Sequence, residues 1–89
     1  MARVVFTRNL QRYVDTTPRT LPGASVREVL GRLFEQLPAA RSYLLDDQGA
    51  VRKHVVLFIN GAQLEDRVGL SDPVADDAEI YVMQALSGG

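Results

Sequence analysis

The sequence predicts an α+β domain: a mixed sheet of four to five strands packed on one main helix. Three observations carry this. A broad apolar stripe at helical spacing runs through residues 26–37. Short β-branched and aromatic runs stand on both sides of it. Two of those runs precede the helix and the rest follow it, so the helix must cover one face of the sheet.

The elements follow in order. Val4-Val5-Phe6, within residues 3–8, reads as a strand with Val4 and Phe6 on one face. Residues 9–14 are ambiguous, although Leu10, Tyr13 and Val14 fit one helical turn. Residues 16–21 suggest a second strand, and Pro18 suggests that it lies at an edge. Ser25 and Glu28 then form a capping box, in which the serine hydroxyl accepts from the Glu28 amide. Val26, Val29, Leu30, Leu33, Phe34 and Leu37 supply the stripe, and Pro38 is expected to end the helix. Residues 39–45 fit one more short turn, with Tyr43 and Leu44 folding back on the core.

Residues 54–59 are apolar at both alternating sets of positions, which predicts a strand in the middle of the sheet. Asn60-Gly61 marks a tight turn, because both residues tolerate positive φ. Residues 63–66 read as a return strand or loop, and Val74 as the apolar anchor of the polar stretch 70–79. The last strand covers residues 78–84. Its natural partner is the first strand, in parallel, through a right-handed crossover. That arrangement is the β-grasp, ubiquitin-like architecture. Residues 1–85 are expected to form this one domain, with 86–89 a flexible tail ending in two glycines.

Composition narrows the function. There is no cysteine, which removes disulfides, thiolate nucleophiles and cysteine metal sites. No apolar run approaches a membrane span, and the first residues lack a signal-peptide layout, so a cytoplasmic protein is expected. Residues 1–45 hold seven Arg against three acids, and residues 46–89 three basic against eight acidic residues. Such asymmetry marks either a binding face or two solvated faces. The arginines are scattered without an aromatic-basic motif, so nucleic acid is not an expected partner. His54 is the only histidine and reads as a strand-rim residue. Asp46-Asp47 and Asp76-Asp77 read as turn formers. No nucleophile elbow, phosphate loop or zinc helix motif is present, so no catalytic residue and no metal ligand is assigned.

The end of the chain, Ala85-Leu86-Ser87-Gly88-Gly89, then carries the argument. Extended, Leu86 to Gly89 spans about 14 Å. A tip without side chains can enter a narrow channel and leaves its carboxylate sterically open. Period two along the last strand puts Tyr81 and Met83 outward if Ile80 and Val82 face the core. They then form a docking patch or pack against a neighbouring strand. Phe58 is a further partner-binding candidate, although a central strand favours burying it in the core. Asp76, Asp77 and Glu79, taken as close to the tail, could steer a basic partner or serve as turn residues.

The chain resembles the MoaD/ThiS family of ubiquitin-like sulfur carriers. The resemblance rests on Val4-Val5-Phe6, the helix over residues 25–37, Leu57-Phe58-Ile59-Asn60-Gly61, Asp76-Asp77-Ala78-Glu79-Ile80 and Gly88-Gly89, in that order and spacing. Residues 52–61 are also similar to the carrier that delivers sulfur for cysteine synthesis. The resemblance implies that an E1-like enzyme adenylates the Gly89 carboxylate with ATP. A sulfur donor then leaves a thiocarboxylate on Gly89, and a sulfur-accepting synthase receives the sulfide, in a cysteine, thiamine or molybdopterin type pathway. The protein would be a co-substrate, not an enzyme, and would bind no cofactor itself. The main-chain terminus would hold the sulfur, so no thiol is needed. A ubiquitin-like modifier joined through Gly89 to lysines, the small subunit of a molybdopterin synthase, and a plain interaction domain are the alternatives. Where the family's last turn commonly reads Asp-Gly-Asp-Glu, this chain has Asp76-Asp77-Ala78-Glu79, so Asp77 is expected to hold the left-handed conformation.

Overall fold

The structure, a computed structural model, describes residues 1–7, 10, 15 and 17–84. Strands β1 (Ala2–Phe6) and β2 (Arg19–Leu21) precede helices α1 (Val26–Gln36) and α2 (Pro38–Leu44); β3 (Val55–Ile59), β4 (Ala62–Gln63) and β5 (Glu79–Gln84) follow. The described strands form one sheet in the order β2-β1-β5-β3-β4. β1 and β5 run parallel, and the other neighbouring pairs antiparallel. This is the expected β-grasp. Apart from Leu10, which is buried, the expected turn over residues 9–14 lies outside the described residues.

The central strand is β5, not β3. β4 pairs only with the last two residues of β3, Phe58 and Ile59. The continuous apolar run in β3 therefore has another cause than burial on two faces. Val55 and Leu57 point into the core, while Val56 and Phe58 alternate onto the other face and are only half-buried. The expectation that Phe58 is a core residue is thereby corrected.

Inward residues of the sheet, including Val4, Phe6, Leu57, Ile80 and Val82, meet Val29, Leu30 and Leu33 of α1 and Leu44 of α2 in one core. No polar or charged residue is buried among those described. At the start of α1 the Glu28 amide donates to Ser25 Oγ at 3.3 Å, and the Glu28 carboxylate accepts from the Ala24 amide at 3.1 Å. Pro38 plays two parts: it ends α1 and opens α2 at the first helical position, where its missing N–H costs nothing. The strand expected over 16–21 shortens to Arg19–Leu21 at the sheet edge, and the return strand shifts to Ala62–Gln63.

Asn60 and Gly61 hold φ of 51° and 86°, the left-handed pair of a tight hairpin. Asn60 also accepts from the Glu79 amide through Oδ1 at 2.9 Å and donates its own amide to the Glu79 carbonyl at 2.9 Å. One residue thus makes the turn and fixes the start of β5. Asp77 does not adopt the expected left-handed conformation; Asn60 and Leu70 are the described non-glycine residues that do. Ala78 is buried and its amide reaches back to the Ala75 carbonyl, which closes the turn without positive φ.

Val74 is buried, as expected, but Leu70 is the deeper anchor of that stretch. The loop from 64 to 74 is held by two carboxylates. Asp66 accepts from the amides of Val68, Gly69 and Ser71 and from the Ser71 hydroxyl. Asp72 accepts from the amides of Glu65 and Asp66. A Cβ at Gly69 would come within 2.9 Å of Asp66 Oδ2, so a larger residue there would displace that carboxylate.

Candidate docking face and root of the tail

Alternation along three neighbouring strands builds one face. Phe58 stands opposite Tyr81, and Val56 opposite Met83, across the antiparallel pair β3–β5. Val5 stands beside Tyr81 across the parallel pair β1–β5. These five side chains lie on the side of the sheet turned away from the core. Val5, Val56, Phe58 and Met83 are half-buried, and Tyr81 is 36% exposed. Both readings of Tyr81 and Met83 meet here: they pack against neighbouring strands and still form an accessible apolar patch. Cross-strand aromatic and β-branched pairs also stabilise the sheet itself.

Sequence reasoning missed Val5 and Val56. The signal was present in residues 54–59, whose outward positions are apolar too. A strand that is apolar on both faces can be buried twice, or it can present one face to a partner.

β5 leads from this face to the tail. Its last residue, Gln84, is paired with Val55 at the beginning of β3. Leu86, Ser87, Gly88 and Gly89 lie outside the described residues. The corner beside Gln84 is firmly held. Arg67 donates to the carbonyls of Arg52 and Val55 at 2.7 and 2.8 Å. Arg52 Nε donates to the Ser42 carbonyl at 2.9 Å, and the His54 ring stands edge-on to Tyr43 with centroids 5.6 Å apart. His54 is thus a packed rim residue.

Charge at the tail root differs from the expectation. Asp76, Asp77 and Glu79 precede or begin β5, whereas the tail leaves from its other end. Five steps along a strand put the acidic corner about 17 Å from Gln84. The neighbours of Gln84 are instead Arg52 and the exposed Lys53, which precede its partner Val55. Asp46 lines the same surface hollow as Arg52 and Lys53, so charges of both signs stand there. Asp46 accepts from the amides of Gln48 and Ala50 and is a turn former, as expected. Among the described residues no cluster of three or more His, Asp or Glu side chains could hold a metal ion. No described helix is long and apolar enough to cross a membrane.

The model of the ThiS family matches residues 5–89, which include the patch and the tail. Among curated proteins no significant match is found. Solved structures agree in fold. The Amycolatopsis orientalis BexX/CysO complex contains a chain that superposes with a TM-score of 0.83 at 16% identity, over 100% of both chains. The small archaeal modifier protein 1 of Methanosarcina acetivorans superposes with a TM-score of 0.79 at 26% identity, over 99% of this chain and 95% of that one. SAMP1 from Haloferax volcanii gives 0.78 at 22% identity, over 99% and 98%.

Proposed function

We propose, from the premise that this chain belongs to the ThiS family of ubiquitin-like sulfur carriers, that its C-terminal carboxylate on Gly89 is its reactive group. The observation that carries this reading is a family match that runs through residue 89. The carboxylate oxygen attacks the α-phosphate of ATP in an E1-like enzyme, pyrophosphate leaves, and an acyl adenylate forms. Hydrosulfide released by a sulfur donor then attacks the acyl carbon; a C–S bond forms, the C–O bond to AMP breaks with AMP as leaving group, the thiol proton goes to solvent, and the resulting thiocarboxylate is presented to an accepting synthase. The protein is a co-substrate in this sequence, and the ATP belongs to the enzyme.

Geometry supports a division of labour. Gly89 is the fifth residue after Gln84, a reach of about 17 Å if extended. The activating enzyme docks on Val5, Phe58, Tyr81 and Met83 and receives the tail from the adjoining end of β5.

A second reading is favoured by one finding. The Methanosarcina acetivorans neighbour is named a modifier, and this chain is 26% identical to it. Both readings begin with the same adenylation. Incubating the protein with ATP and the adenylating enzyme of its own host should give an AMP adduct on Gly89, absent when Gly88 and Gly89 are deleted. Isopeptide-linked products in host extract, lost with the same deletion, would favour the modifier. If the truncated chain were adenylated as well as the parent, both readings would fail.

A further inference from the structure

We propose that the groove between α1, α2 and the Asp66 loop is a second docking site, for an acidic peptide segment carrying an apolar anchor. It lies on the helical side of the molecule, away from the open face of the sheet, and does not depend on the chemistry of the tail.

Three features converge on this groove. The first is Gly31, in the interior of α1. A Cβ there would meet nothing within 4 Å, and its φ is not positive. Neither crowding nor backbone conformation within the chain requires glycine, although glycine weakens a helix relative to alanine. A bare helix surface at Gly31 permits close approach of another backbone.

The second is Val68, 76% exposed at the rim of the groove. The loop that carries it is pinned. Asp66 accepts from the Val68 and Gly69 amides, and Leu70 is held at φ 56° with its side chain buried. A leucine in the left-handed region is strained, and such strain persists only where its surroundings enforce it. The Leu70 carbonyl accepts from the Arg27 amide at 2.9 Å, which ties the loop to α1. Val68 is therefore presented to solvent by a rigid support.

The third is charge. Arg27 and Arg41 line the groove, and neither guanidinium has an acceptor or a carboxylate among the described residues. Of the other described arginines, Arg19, Arg32, Arg52 and Arg67 have one and Arg3, on the far strand β1, does not; what sets Arg27 and Arg41 apart is that both line one groove. Two free guanidiniums beside Phe34, Val68 and Leu70 call for carboxylates flanking an apolar side chain. The groove measures about 280 Å³. That is at the lower end of the roughly 300–1,000 Å³ of small-molecule sites and gives room for an inserted side chain.

The test is an amide NMR titration with two synthetic hexapeptides. Each has leucine and phenylalanine at its centre, flanked by acidic residues in one and by lysines in the other. The acidic peptide should saturate shifts at Gly31, Phe34, Val68 and Gly69 while leaving Val56 and Tyr81 unmoved. The double variant Arg27→Glu, Arg41→Glu, folded by its amide spectrum, should bind at least about tenfold more weakly, the loss expected from removing charge-assisted contacts. Gly31→Ala should raise Tm and weaken binding together, a pairing that a merely structural glycine would not give. The proposal is overturned if the acidic peptide gives no saturable shifts at the groove. Equal binding of the lysine peptide would also overturn it. So would sedimentation showing a dimer broken by Val68→Ser, since a second copy would then be the occupant.

Discussion

Of the two carboxylates that hold the loop between β4 and β5, Asp66 makes the more contacts. Its pKa is lowered to about 2 by the Ser71 hydroxyl, then by the amides of Gly69, Ser71 and Val68. The folded value lies below the ordinary carboxylate value, so its contribution is complete above about pH 4. That contribution is lost as pH falls through about 2. We expect Asp66→Asn to lower Tm at neutral pH, with the gap to the parent narrowing from pH 4 downward; a gap independent of pH would contradict this. Asn60 is the second residue on which much depends. Replacing it with alanine removes the acceptor for the Glu79 amide and places a Cβ without side-chain compensation at φ 51°. A loss of about 1–3 kcal/mol in denaturant unfolding is expected. On the outer face, Tyr81→Asp should leave the fold intact, because the side chain is outside the core, and reduce the rate of adenylation by the host enzyme. An unchanged rate would remove the sheet face from the docking account.

Each element shows how far local sequence reaches. α1 was legible in full, because Ser25, Glu28 and the apolar stripe at 26, 29, 30 and 33 all point to one helix with one buried face. Leu33, fully buried, should cost about 2–5 kcal/mol when cut to alanine, whereas Ser25→Ala should cost about 1 kcal/mol; chemical denaturation separates the two. The hairpin at Asn60-Gly61 was equally legible, since turn chemistry is local. Strand rank was not. Residues 54–59 look more buried than residues 78–84 because both of their faces are apolar, yet β5 is central and β3 stands one place out. A sequence shows that a face is apolar; it does not show whether the protein or a partner covers it. That is why Phe58 was expected inside. Asp77 failed for a related reason. Its left-handed conformation was carried over from a family pattern with glycine, while the Ala75 carbonyl and buried Ala78 offered this chain another turn.

At the scale of the whole molecule, the β-grasp separates three regions. The core and both helices lie on one side of the sheet, the patch of Val5, Val56, Phe58, Tyr81 and Met83 on the other, and the tail continues from the end of β5. Charges within the acidic half of the sequence separate along the fold: Asp76, Asp77 and Glu79 stand at or before the start of β5, whereas Arg52 and Lys53 precede Val55, the partner of its last residue, Gln84. Their positions along the strand could be computed from sequence once the strand was known, but the neighbour of Gln84 could not, because pairing with Val55 is a long-range fact. If the tail does the chemistry and the domain only presents it, deleting Gly88 and Gly89 should leave Tm unchanged while abolishing transfer. The central claim is that Gly89 carries sulfur, and the most direct measurement is the intact mass of the protein isolated from its own host, with fragmentation of the C-terminal peptide. The account expects a fraction of molecules in which one oxygen of the Gly89 carboxylate is replaced by sulfur. A terminus that remains an ordinary carboxylate, even when the sulfur-accepting step is blocked so that the carrier accumulates, would contradict it.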